Sequence, residues 1–273
     1  MKKVTENVFV ETGFRGCNCG FVSTTDGVVM IDSPERPTDA LTWKNEVERK
    51  GVIKYLINTE HHLDHILGNF FFPGILIAHQ GTKEKGRAAF ENMEQIFARV
   101  KDRDPDGLHL VNNYVPKEPE ITFDNRLTLY LGDHVFELIN LPGHTPNETI
   151  IHIPKEKVVF TGDNVVYRVR PVFRECCPKR WVESLEIIKG MDVEAIIPGH
   201  GEVRDKGAID EMISYIEDVF DQVKVAIGKG LTKEETVDQV KFDDRMPLEE
   251  HQKASWPERR RTGVFRIYEE LTS

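Results

Sequence analysis

The sequence predicts an α/β fold, and three observations carry that reading. The first 200 residues are short apolar runs punctuated by Gly, Pro, Asn and Asp. Segments with helical spacing are interspersed among them. Five of the apolar runs deliver a His, Asp or Glu just past their carboxyl end, which is where α/β sheets gather ligands.

The elements follow in order. Phe21 to Ile31 reads as two strands around an Asp26-Gly27 turn, a strong hairpin signal. A helix is expected from about Thr38 to Lys50, stopping at Gly51. Lys54 to Thr59 is a buried strand, and a second helix starts near His65. Pro73-Gly74 opens the strand Ile75 to Ala78, and one long polar helix is expected over roughly Thr82 to Val100. An Asp-rich loop, Asp102 to Gly107, ends it.

Leu127 to Leu131 alternates, then turns at Gly132-Asp133 into His134 to Leu141. Ile150 to Ile153, Val158 to Phe160 and Ala195 to Ile197 complete the strands, with a helix over roughly Lys179 to Ile188. The clearest helix is 206–227, where Ile209, Met212, Ile213, Ile216, Val219, Phe220, Val223 and Ile227 keep three- and four-residue steps. It ends at Gly228 and Gly230. Thr232-x-x-Glu235 is a capping box, and Pro257 to Leu271 is a last helix. The catalytic body is expected over residues 1–204, with 205–273 as a helical extension of the same domain. The extension is free to cover the site entrance or to form a homodimer surface.

The 36 Lys and Arg stand against 46 Asp and Glu, so the net charge of −10 disfavours nucleic acid as a partner. No window approaches 18 uninterrupted apolar residues, which excludes a helical membrane span. Met1 to Asn7 carries two lysines and no apolar stretch, so no secretory signal is expected. Cys17, Cys19, Cys176 and Cys177 are too few for a disulfide framework, and reduced thiols in a cytoplasmic protein are expected.

The five strand-end groups are Asp32, the Glu60-His61-His62-Leu63-Asp64-His65 segment, His144, Asp163 and His200. Imidazole nitrogen and carboxylate oxygen suit divalent metals. In an extended loop residues 60, 62 and 64 point one way and His65 another, so one segment can feed two metals. His144, Asp163 and His200 would complete the shells, with Asp163 placed to bridge. Any one of these histidines alone reads as an ordinary core or surface residue; the joint placement is what points to metal. His61, His79, His109, His134, His152 and His251 are read as structural, with His61 the one to watch because it sits inside the cluster.

Val165 to Arg180 holds five basic residues and one acid in an otherwise acidic chain. Since it starts at the metal residues, Tyr167 and one of Arg168, Arg170 or Arg174 are candidates to bind an anionic group or an oxyanion. The competing reading is a solvated loop whose arginines pair with surface acids. Glu258-Arg259-Arg260-Arg261 reads as the charged face of a helix start. No Gly-x-Ser-x-Gly elbow supports serine catalysis.

The motifs Asp32 after a strand, Thr59-Glu60-His61-His62-Leu63-Asp64-His65, Leu141-Pro142-Gly143-His144-Thr145, Phe160-Thr161-Gly162-Asp163 and Ile197-Pro198-Gly199-His200-Gly201 occur in this order. Over residues 5–204 the chain resembles the metallo-β-lactamase superfamily. The resemblance implies an αββα four-layer sandwich, two mixed β-sheets back to back with helices outside, and a two-metal site at one edge. It implies Glu60, His62 and His144 at metal site one, and Asp64, His65 and His200 at site two. Asp163 would bridge, and Asp32 would orient the ligand loop.

The chain departs from the family at Glu60, where a His usually stands. An oxygen donor there adds negative charge, weakens the preference for zinc and improves the case for iron or manganese. Glu60 either ligates, turns away, or yields its place to His61. Two divalent ions, with zinc the leading choice, imply a cytoplasmic hydrolase that activates water against a small acyl compound, a lactone, ester, thioester or β-lactam-like amide. Asp64 would ligate and hold the water's proton. The alternatives are an iron-dependent oxidoreductase of the same superfamily and a binding protein with a degenerate metal site.

Overall fold

The computed structural model describes residues 1–273, the side chain of His251 excepted, so that histidine's expected role lies outside the described residues. The strands are β1 (Lys2–Lys3), β2 (Val8–Glu11), β3 (Cys19–Thr24), β4 (Gly27–Ile31), β5 (Ile53–Ile57), β6 (Ile75–His79), β7 (Ile121–Phe123), β8 (Arg126–Leu131), β9 (His134–Asn140), β10 (Thr149–Ile153), β11 (Val158–Phe160) and β12 (Ala195–Ile197). The helices are α1 (Pro37–Glu48), α2 (Leu63–Ile66), α3 (Gln80–Ala89), α4 (Met93–Arg103), α5 (Pro178–Lys189), α6 (Gly207–Gly228), α7 (Lys233–Gln239) and α8 (Trp256–Thr272).

Strands β1 to β7 form one sheet in sequence order; the other runs β12-β11-β10-β9-β8. Both are mixed. β4, β5, β6 and β7 are parallel, while β1 to β4 pair antiparallel. In the second sheet β11 and β12 are parallel, and β9 runs with them because both flank β10 antiparallel. The carboxyl ends of β4 and β5 therefore share one edge, as do those of β9, β11 and β12.

The sheets stack through Val10, Val29, Ile57, Phe136, Leu138, Ile151 and Phe160, all buried between them. Outside the first sheet, Trp43 and Val47 of α1 pack on Phe21, Met30 and Leu56. Outside the second, Trp181 and Leu185 of α5 share one cluster with Met212, Ile216 and Val223 of α6 and with Val264 and Ile267 of α8. The layers are helix, sheet, sheet, helix. Apolar residues on both faces of the central strands make this arrangement the one that removes them from water.

The helix expected over Thr82 to Val100 is two helices. Asn92 accepts from the Gln95 amide at 3.2 Å and starts α4, and the Phe90 ring turns toward Tyr114, 5.9 Å away. The capping box at Thr232 and Glu235 is present, and Gly230 adopts φ +75°. β1, β2 and β7 have no counterpart in the sequence reading. Among the described residues no helix is long and apolar enough to cross a membrane.

Candidate metal centre

Two polypeptide switches set the site. β4 ends at Ile31, and Asp32 takes φ +54°, a strained position for a non-glycine residue. There its carboxylate accepts from Thr59 N at 2.8 Å, Thr59 Oγ1 at 2.7 Å and His65 Nδ1 at 3.0 Å. These bonds tie the loop after β5 to the end of β4. With Nδ1 donating, the His65 Nε2 lone pair faces the site. The extended alternation expected for residues 60, 62 and 64 holds only for Glu60 and His62. The helical turn α2 places Asp64 and His65 instead.

In the second sheet, Asn164 Oδ1 accepts from His144 N at 2.9 Å, and Asn164 Nδ2 donates to Leu141 O at 2.7 Å. Glu148 Oε1 accepts from Asp163 N at 3.0 Å. Gly199 must be glycine, because a Cβ there would lie 1.9 Å from Asp163 Oδ1.

The seven residues Glu60, His62, Asp64, His65, His144, Asp163 and His200 converge. Donor atoms of Glu60, His62 and His144 lie within 4.8 Å of one another, as do those of Asp64, His65 and His200, and those of Glu60, His65 and Asp163. Asp163 Oδ1 is 3.4 Å from both His65 Nε2 and His200 Nε2, and Oδ2 is 3.7 Å from His144 Nε2. Glu60 Oε1 lies 3.7 Å from His144 Nε2 and 3.4 Å from His65 Nε2, so Glu60 reaches toward both groups. Glu60 does not turn away. His61 does: its Nε2 lies 3.3 Å from Glu175 Oε2.

Donor chemistry fits divalent cations. Glu60 is fully buried, yet neither of its oxygens has a hydrogen-bond partner, and the same holds for His65 Nε2 and Asp163 Oδ1. His62 Nδ1 approaches Glu60 Oε2 to 2.6 Å without hydrogen-bond alignment. Buried acceptors that face one another unpaired are costly, and a shared cation satisfies all of them at once.

Burial raises the Glu60 carboxyl, but His62, His144 and His65 outweigh it and hold it at about 2. Burial lowers His62, but Glu60 and Glu175 outweigh it and raise it from 6.5 to about 9. Burial raises Asp163 too, and His200 and His65 hold it well below the usual carboxylate range. Glu148 goes the other way: burial and the charges of Glu60 and Asp163 push it well up.

These shifts fix a pH dependence. Without metal, the stabilisation from Glu60 is full above pH 4.5 and lost as pH falls through about 2. That from His62 is full below pH 6.5 and lost as pH rises through about 9. A cation at His62 must displace its proton, so apparent metal affinity is expected to rise at least about tenfold per pH unit below pH 9. Calorimetric titration of metal into chelated protein, in buffers of different ionisation enthalpy, reads the released protons. A pH-independent affinity would contradict it.

Not all the expected residues gather here. Tyr167 and Arg168 line a different recess with Asp210, Ser214 and Arg245. Two guanidiniums approach the Tyr167 ring, Arg204 at 4.4 Å and Arg168 at 5.4 Å from its centre. The chain turns away because the segment pairs Val166 with His200 and Arg168 takes φ +53°. Arg170 borders the metal cavity, but its guanidinium donates to Met246 O and Asp243 O at 2.8 Å each and stacks on Trp256. It anchors the C-terminal segment. Arg174 does line the cavity, half-exposed, with Nε 3.4 Å from Glu175.

Residues missed from sequence include Glu175, whose Oε1 lies 3.4 Å from His62 Nε2 and whose Oε2 accepts from Lys85 at 2.6 Å. Glu148, Arg99, Arg103 and Arg259 were missed as well. The cavity over the centre measures about 470 Å³, and the C-terminal segment contributes Glu249, Gln252 and Arg259 to its wall.

Comparison with known proteins agrees with this architecture. Metallo-beta-lactamase type 2 of Elizabethkingia meningoseptica is 23% identical over 245 residues, 83% of this chain and 88% of that protein. A hydroxyacylglutathione hydrolase of Mesorhizobium japonicum is 25% identical over 169 residues, 62% of this chain, and the match spans about half of that protein, 54%. The stereoselective inverting sec-alkylsulfatase Pisa1 from Pseudomonas sp. superimposes with a TM-score of 0.74 over 98% of this chain and 49% of that one, at 15% identity, a likeness of fold. A family model described as the metallo-beta-lactamase superfamily matches residues 12–200. The chain belongs to the metallo-beta-lactamase superfamily.

Proposed function

We propose that the chain is a metal-dependent hydrolase of small acyl compounds, a lactone, ester, thioester or β-lactam-like amide. The observation that supports it most is the pair of donor groups, Glu60-His62-His144 and Asp64-His65-His200, with the unpaired Asp163 Oδ1 between them. When bound there, two divalent ions bring the pKa of water toward about 7 and polarise the oxygen of the scissile group.

The protein's own residues do the rest. Asp32 holds His65 with Nε2 facing inward, and Glu175 faces Nε2 of His62 so that Nδ1 is free to ligate. Asp64 lies beside His200, with Oδ2 3.4 Å from Nε2, and borders the cavity, where a carboxylate oxygen can take a proton from water. The rim formed by Leu63, Val166, Val169 and Val172 keeps the apolar part of a substrate out of water. Zinc is the first choice of metal. Each donor group holds two imidazoles and one carboxylate, a set that also suits iron and manganese, so an iron oxidoreductase is the second reading. Free cysteines, three of them buried, support a reducing, cytoplasmic location.

The test is a panel of lactones, thioesters, phosphodiesters and cephalosporins assayed with protein as purified, chelated and reloaded. Hydrolysis of an acyl member, lost on chelation and restored by zinc or manganese, is expected. Redox turnover with iron and no hydrolysis would overturn the reading.

A further inference from the structure

We propose that Arg259, with Arg99 and Arg103, forms an oxyanion-binding subsite beside the metal centre, and that the substrate carries a carboxylate, sulfate or phosphate group that seats there. This deepens the hydrolase reading and rests on it for the word substrate.

The sequence placed Arg259 on the charged face of a helix start. Its neighbours keep to that description or turn inward to structure. Arg261 pairs with Glu258 at 3.0 Å, and Arg260 donates to the carbonyls of Val237 and Val240. Arg259 does neither. It lies in the wall of the metal cavity, partly buried, and its guanidinium has no hydrogen-bond or ion-pair partner among the described residues.

Two more guanidiniums stand in the same wall. Arg99 and Arg103 of α4 both engage one carboxylate, the buried Glu35, so two positive charges meet one negative. A guanidinium carries five N–H donors, and the single carboxylate leaves some of them unused on both. Burial, together with Arg174, Arg103 and Arg99, holds the Arg259 guanidinium below its ordinary value, and Asp64 acts the other way. The cluster is thus close enough to repel internally and close enough to Asp64 to feel the metal centre.

Like charges gathered in a cavity destabilise the empty protein, and a bound anion relieves them. Of the acids of this wall, Asp64 and Asp163 face His200, and Glu175 is engaged by Lys85 and Arg174. A planar fork facing a cavity suits an oxyanion, which it can bind through two parallel hydrogen bonds.

The test compares the wild type with Arg259→Gln and Arg259→Lys, using the protein as purified at fixed ionic strength. Sulfate, inorganic phosphate and glutarate are titrated calorimetrically, and the three arms tell which oxyanion is preferred. Binding of at least one is expected, weakened about tenfold or more by Gln and less by Lys. Arg168→Gln, the same charge change in the other recess, leaves binding unchanged. Without ligand, Arg259→Gln melts at the same temperature as the wild type or higher, because repulsion is removed. In assays, the 4-nitrophenyl monoester of glutarate shows a KM raised about tenfold in Arg259→Gln, while the neutral pentanoate ester does not.

Absence of binding by all three anions, or equal binding in wild type and Arg259→Gln, overturns the subsite. A protein that binds anions through Arg259 yet cleaves no acyl substrate retains the subsite and overturns the hydrolase reading.

Discussion

Replacing Asp163 by Asn lowers kcat/KM by about three orders of magnitude and drops the metal content below two ions per chain. The substitution keeps the shape of the side chain and the backbone bond from residue 163 to Glu148. What it removes is the anionic oxygen between His65 and His200 and the one nearest His144. The amide nitrogen would point a donor, or the amide oxygen a weaker acceptor, at the place where a cation held by these residues would sit. Several kcal/mol of charge stabilisation disappear, and each 1.36 kcal/mol is about a factor of ten. Steady-state kinetics with metal analysis checks both effects, and a thermal melt shows that the fold survives. A variant with full metal content and unchanged kcat/KM would remove Asp163 from the centre.

The second large effect is a change of metal preference. Glu60→His is expected to retain or raise zinc affinity and to weaken manganese and iron, shifting the zinc-to-manganese ratio by about tenfold or more. Glu60 is a hard charged donor, and imidazole is a neutral nitrogen donor. The position is fully buried and lies against His62, His65 and His144, so whatever stands there would act directly on a cation held by them. Competition against a chelator at fixed pH gives the two affinities. Collapse of zinc binding in Glu60→His would show that the carboxylate, which reaches toward both donor groups, holds them together in a way a ring cannot.

Much of this was legible in the sequence because the information is local. The strands read as short apolar runs, several of them, such as β8, with a period of two, many are followed by Gly, Pro, Asn or Asp, and a strand-end His or Asp needs no knowledge of its partners to be noticed. Parallel strands then do the gathering, and the five motifs arrive at one edge. What was not legible depends on contacts far apart in the chain. Glu175 meets His62 across 113 residues. Arg259 shares a cavity wall with the α4 arginines across more than 150 positions, and nothing in its Glu-Arg-Arg-Arg surroundings marks one guanidinium as different from the next.

Adjacency misled at Tyr167 and Arg168. They follow Asp163 closely, but the left-handed turn at Arg168 and the pairing of Val166 with His200 send them to a different recess. The break between α3 and α4 was hidden for a similar reason. An Asn cap and one aromatic contact decide it, and the polar pattern reads through both.

The most direct test is metal analysis of protein purified without chelator, by mass spectrometry against a protein concentration from amino-acid analysis. Two divalent ions per chain are expected, with zinc leading. Protein that holds no metal, and takes up none when zinc, manganese or iron is offered, would contradict the convergence of these seven side chains on a pair of cations.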